Sequence, residues 1–245
     1  MDLLEFKFDN IYKLADIVDN CVKAEIQIWN YNEEYFINSA TKFSKDTLLH
    51  LYIVTTAFNH YHRYFRKDGD MIDEVSIEEW YLLFENYNIN IEPIEFDDNP
   101  EPIDWFENNS DKFAELFNYM AEEVFYILFA NRQFLLEFNN LIALTVKETN
   151  FPTKSLNEKG TIKRAYITKW VKTAVYHREK GRCVFCNTDL TGLVNTLTNA
   201  NYDHIVPLDK YGTNDPCNIQ LACESCNKSK SNKGGTTSNL YIPWW

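Results

Sequence analysis

Two cysteine pairs decide how this chain is read: Cys183-Val184-Phe185-Cys186 and, after 36 intervening residues, Cys223-Glu224-Ser225-Cys226. Each pair places two thiolates within reach of one tetrahedral ion. A closed shell of four soft sulfurs suits a structural Zn²⁺ held by Cys183, Cys186, Cys223 and Cys226. Cys21 and Cys217 stand outside this pattern and read as ordinary thiols. The residues after Lys180 are short, polar and turn-rich, so they build little core alone and need such a staple. The interval between the pairs exceeds that of a plain zinc ribbon, so something is inserted between the knuckles.

Working outward, Ile162 to Lys180 reads as a basic helix with Ala165, Ile167, Trp170, Val171, Ala174 and Val175 on its apolar side. Before it, near residues 150–155, the charge changes sign. Residues 151–245 carry 13 Lys/Arg against 7 Asp/Glu, a net charge of +6. Residues 1–150 carry 11 against 29, a net charge of −18. This predicts two domains, 1–150 and 151–245. The first reads as helical, with apolar stripes over 9–28, 47–64 and 111–147, the last broken near Asn131. Residues 86–109, with Pro93, Pro100 and Pro102, read as a loop with a short strand at 89–91. The expected fold is mainly α with a small α+β part.

The insert between the knuckles reads Asn201-Tyr202-Asp203-His204-Ile205-Val206-Pro207-Leu208, then Asn218-Ile219-Gln220-Leu221, and Asn227 and Lys230 follow the second pair. Asn218 lies 14 residues after His204, and Asn227 lies 9 after Asn218. With Arg178-Glu179-Lys180-Gly181-Arg182 ahead of Cys183, residues 163–235 resemble the HNH endonucleases, the ββα-metal nucleases in their four-cysteine form. The resemblance implies that His204 is the general base and that Asp203 and Asn227 hold a catalytic divalent ion. Asn218 becomes the middle motif residue, a spacer that holds the loop and orients the base. It also implies cleavage of one strand at a time, leaving a 5′-phosphate and a 3′-hydroxyl. The sequence departs from the family pattern in few places. Tyr211-Gly212 stands where two glycines are usual, Cys217 replaces a commonly acidic residue, and Asn227 stands for histidine.

The residue types suit that chemistry independently. Phosphodiester hydrolysis needs an activated water and a cation to neutralise charge building on phosphate. Histidine can take the water's proton near neutral pH. Carboxylate and amide oxygens from Asp203 and Asn227 suit Mg²⁺ or Mn²⁺. Lys230, Lys228 and Arg178 are candidates for gripping DNA phosphates.

The overall charge of −12 argues against a protein that simply coats nucleic acid. No apolar run is long enough for a membrane span, and the acidic start lacks the pattern of a secretion signal, so the expected home is cytoplasmic. Residues 1–150 are read as regulatory, dimerising or partner-binding, with a homodimer or a partner such as an ATPase left open. Chains resembling this one include effectors of bacterial anti-phage defence. Two other readings stay open: a catalytically silent zinc module for DNA binding or complex assembly, and an HNH enzyme acting on RNA. His50, His60 and His62 with Arg63 and Arg66 read as a solvated helix face. Trp80, Trp105 and the terminal Trp244 and Trp245 are costly to expose and suggest an interface.

Overall fold

The computed structural model describes residues 5–27, 33–67, 74–94, 102–192, 200–231 and 234–243. Pro100, Trp244 and Trp245 lie outside the described residues. The α-helices among them are α1 (Ile11–Lys23), α2 (Glu33–Thr41), α3 (Leu48–Lys67), α4 (Glu74–Asn86), α5 (Pro102–Asn108), α6 (Ser110–Leu128), α7 (Arg132–Glu148), α8 (Lys169–Arg178) and α9 (Glu224–Lys230). Strands β1 (Ala200–His204) and β2 (Ile219–Cys223) form a two-stranded antiparallel sheet. The fold is therefore mainly α with a small α+β part. No helix among the described residues is long and apolar enough to cross a membrane.

The chain divides into two compact units, Met1–Cys21 with His50–Ile127, and Val22–Leu49 with Leu128–Trp245. The change of charge near residue 150 falls inside the second unit. The first unit contains α4, α5 and most of α1, α3 and α6. Its core is aromatic. Phe113 is fully buried, with ring centres 4.4 Å from Phe106, 5.0 Å from Phe84, 5.3 Å from Trp105 and 5.4 Å from Trp80. Both tryptophans are buried core residues, so neither lies on an exposed interface. The three histidines go separate ways: His50 stacks on Phe125, His62 pairs with Glu107 at 3.1 Å, and half-exposed His60 packs edge-on against Tyr61. Glu123 is buried, and its carboxylate accepts from the Lys7 and Phe8 amides and the Tyr87 hydroxyl at 2.8, 2.6 and 3.2 Å.

The apolar stripe over 111–147 becomes α6 and α7. Asn131 makes the break, accepting the Phe134 amide at 3.1 Å and so capping α7. Three expectations are corrected. Residues 86–109 are not all loop, because α5 starts at Pro102, and proline fits a first helical turn, where its missing amide costs nothing. Residues 89–91 form no strand. The basic helix is shorter than expected, covering only Lys169–Arg178. Residues 163–165 are held extended instead: the Lys163 amide donates to Ser155, and the Asn214 side chain bonds both the Lys163 carbonyl (2.7 Å) and the Ala165 amide (3.1 Å). A side chain 49 residues away thus takes backbone groups that a helix would have used.

Candidate active site

The site lies in the second unit and is built on the hairpin. Strand register sets Asp203 against Gln220 and His204 against Ile219. Strand β2 is buried throughout, which anchors β1 with its Asp203 and His204. Beyond His204 the chain loops back, and Asn218 closes that loop. Its Oδ1 accepts the Val206 amide at 2.8 Å, and its Nδ2 donates to the Val206 and Thr213 carbonyls, each at 3.0 Å. A Cβ on Gly212 would lie 2.0 Å from the Val206 carbonyl oxygen, so only glycine fits there. Tyr211, where the family pattern has a glycine, takes a left-handed conformation at φ 65°. Asp215 holds the far end of the loop through the Cys217 and Leu48 amides at 2.7 and 2.8 Å. Cys217 is fully buried, and burial with the Asp215 charge pushes its thiol well up, so it packs as a neutral group.

The four paired cysteines come together. Their sulfurs all lie within 4.8 Å of one another, and those of Cys186 and Cys223 are 3.7 Å apart. Tetrahedral Zn–S bonds would set sulfurs ~3.8 Å apart, so the cluster is compatible with zinc. The first knuckle turns at Asn187, in a left-handed conformation, with its amide bonded to the Cys183 carbonyl at 2.9 Å. The second knuckle starts α9, where the Cys223 sulfur accepts the Cys226 amide. Burial raises the Cys186 thiol, but hydrogen bonds from Thr188 and the neighbouring thiols outweigh it and bring it down to about 6. Burial and the other thiols push Cys226 up. Thiols placed like this ionise together only around a cation.

Asp203 and His204 line an open cleft of about 750 Å³. His204 is only 1% exposed, and neither ring nitrogen makes a well-aligned hydrogen bond among the described residues, with the Asn214 side chain near enough to favour the charged form slightly. Burial, followed by the Arg164 charge, lowers its pKa to about 4, so the imidazole is neutral at pH 7. Asn227 is half-buried on α9. Three residues later on that helix, and so on the same face, Lys230 places its ammonium 2.7 Å from Asp203 Oδ2 and 2.6 Å from the His204 carbonyl.

The three basic residues expected to grip phosphate occupy different settings. Lys230 is buried and paired as just described. The Arg178 side chain is 3% exposed; it bonds Glu179 at 2.8 Å and the Ile219 carbonyl, and it lies over the Phe129 ring. Glu179 in turn takes Arg132 at 2.7 Å, so two guanidiniums neutralise one buried carboxylate. Lys228 is exposed and pairs with Glu224. Sequence reasoning missed Lys159, Lys163 and Arg164, which also line the cleft. Their clustering in the basic half was visible, but reading residues 162–180 as one helix would have spread Lys163 and Arg164 around its surface.

The HNH endonuclease family model matches residues 183–233, while the N-terminal region matches no family model. The matched stretch contains all four clustered cysteines together with Asp203, His204, Asn218 and Asn227, and it marks a nuclease-type domain. No curated protein and no solved structure matches the chain.

Proposed function

We propose that this protein is a metal-dependent endonuclease that hydrolyses phosphodiester bonds in DNA. The observation that carries this reading is His204: a buried, neutral imidazole, neither nitrogen in a well-aligned hydrogen bond, beside a carboxylate in an open cleft. Leaving such a group unpaired costs about 1–3 kcal/mol, an arrangement suited to a group that bonds a reacting water. In this reading His204 takes the proton of the attacking water. Asn218 positions it by fixing the loop that starts at the next residue.

Asp203 and Asn227 offer hard oxygens that fit Mg²⁺ or Mn²⁺, and Asp203 already accepts a cation, the Lys230 ammonium. Such an ion, when bound, neutralises charge that builds on the phosphate. The four cysteines would hold Zn²⁺, tying β2 and α9 to the first knuckle and so fixing the separation of His204 from Asn227. Residues 1–150, with their net charge of −18, fit a regulatory or partner-binding role better than duplex contact. That is the character expected of a controlled effector, such as one in anti-phage defence.

Supercoiled-plasmid cleavage tests the reading. The protein should nick plasmid with Mg²⁺ or Mn²⁺ and not with EDTA. His204→Ala should lower the rate by at least about 100-fold, the scale of a lost general base, with zinc content and melting temperature retained. Equal rates for the two proteins would overturn it. Preferential cleavage of RNA in competition would move the substrate to RNA and leave the roles of the residues in place.

A further inference from the structure

The cleft wall formed by residues 156–164 lies outside the matched family segment and carries Lys159, Lys163 and Arg164. This wall is a built turn. Leu156 and Ile162 form a β-bridge. Between them, Asn157 Oδ1 accepts the Lys159 and Thr161 amides at 2.9 and 3.2 Å, and its Nδ2 donates to the Thr161 hydroxyl at 2.9 Å. Gly160 completes the turn at φ 75°. Asn214, fully buried, then ties residues 163–165 to the loop that follows His204. The turn and the base are therefore fixed to one scaffold.

All three cations are exposed. Neither Lys159 nor Arg164 forms a side-chain hydrogen bond or ion pair among the described residues. Lys163 donates to the Lys154 carbonyl at 2.9 Å and keeps two further protons to give. The acids lining the same cleft are Glu158, Asp209 and Asp203, and Asp203 is already neutralised by Lys230. Unlike Arg178 and Lys230, which are committed inside the protein, these three side chains are free to meet an anion.

We propose that this turn is the phosphate-binding wall of the site, with Arg164 gripping the phosphodiester beside His204 and Lys163 and Lys159 holding neighbouring phosphates of the DNA backbone. The inference rests on the nuclease reading for its choice of DNA. A guanidinium fork suits a phosphate's paired oxygens, and Arg164 lines the same cleft as His204 and Asp203.

The test is binding of a fluorescently labelled DNA duplex by the full-length, zinc-loaded protein without added Mg²⁺ or Mn²⁺ across a salt series, with plasmid cleavage in Mg²⁺ measured in parallel. A Lys159→Ala, Lys163→Ala, Arg164→Ala triple variant should bind roughly tenfold more weakly or worse, its salt slope reduced by about 0.9 for each cation removed. Arg164→Lys should fall between the parent and the triple variant. Glu158→Gln should tighten binding, since it removes a repulsive charge from the same wall. Unchanged affinity and slope in a zinc-loaded, folded triple variant would overturn the inference, whatever the plasmids show. A parent that binds no duplex would also overturn it. Binding lost in the triple variant while the parent never cuts would sink the nuclease reading and leave this one standing.

Discussion

The two units bury different kinds of side chain. Of the sixteen buried polar or charged residues among the described positions, only Thr56 and Glu123 lie in the first unit, and the other fourteen lie in the second. The first unit is held by interlocking aromatic rings, a non-directional force that grows with area removed from water. The second holds its hairpin and loops by directed bonds from Asn139, which donates to the Cys217 carbonyl at 3.0 Å, and from Asn214, Asp215, Asn218 and Glu179, with four cysteines at one end. Area packing tolerates approximate geometry, whereas a site must hold atoms to a fraction of an ångström. Directed bonds supply that precision, and each one left unmade inside is costly.

Metal removal should separate the two most sharply. Structural zinc contributes on the order of 10 kcal/mol or more to small domains that depend on it. A strong chelator, or Cys223→Ser, should abolish the structure around residues 183–230, read as loss of amide-exchange protection there. Protection in the first unit's aromatic core should persist. Equal loss in both units would break the contrast, and loss in neither would remove the metal from the account.

Phe113→Ala probes the opposite mode. It opens a cavity among six aromatic neighbours, Phe65, Trp80, Phe84, Trp105, Phe106 and Phe117, and should cost about 3–5 kcal/mol by denaturant titration, with zinc content unchanged. A cost below about 1 kcal/mol would mean that the ring cluster repacks, and the area-based description of the first unit would fail.

A smaller effect on stability is expected from Asn218→Ala. It removes little apolar area but strands the Val206 amide and two buried carbonyls, a cost of about 2–4 kcal/mol. The loop would no longer set His204, so cleavage should fall further than stability alone explains. Full activity at reduced stability would confine Asn218 to a structural role.

Much of this arrangement was legible in the chain because it depends on neighbours in sequence. Helices α1, α3, α6 and α7 follow apolar stripes that need only a core to face, and Asn131 signals its own cap. Helix α5 was hidden because Pro102 reads as a breaker until its position in the first turn is known. The long basic helix failed from the other side: its first residues have helical spacing, but Asn214 offers their backbone better partners than the helix does. Tryptophans 80 and 105 read as interface material because the sequence does not say which aromatic residues fold against each other.

The sequence by itself determined each cysteine knuckle, the Asp203–His204 pair and the place of Asn227 on the helix after the second knuckle, because short fixed spacings set those neighbours wherever the segment folds. Only the tertiary structure decided which cations face the cleft. Arg178 and Lys230 look as available on paper as Lys159 and Arg164, yet they are taken by Glu179, the Ile219 carbonyl, Asp203 and the His204 carbonyl. Burial and pairing depend on what long-range folding sets beside a charge, and residue type and spacing along the chain carry no record of that.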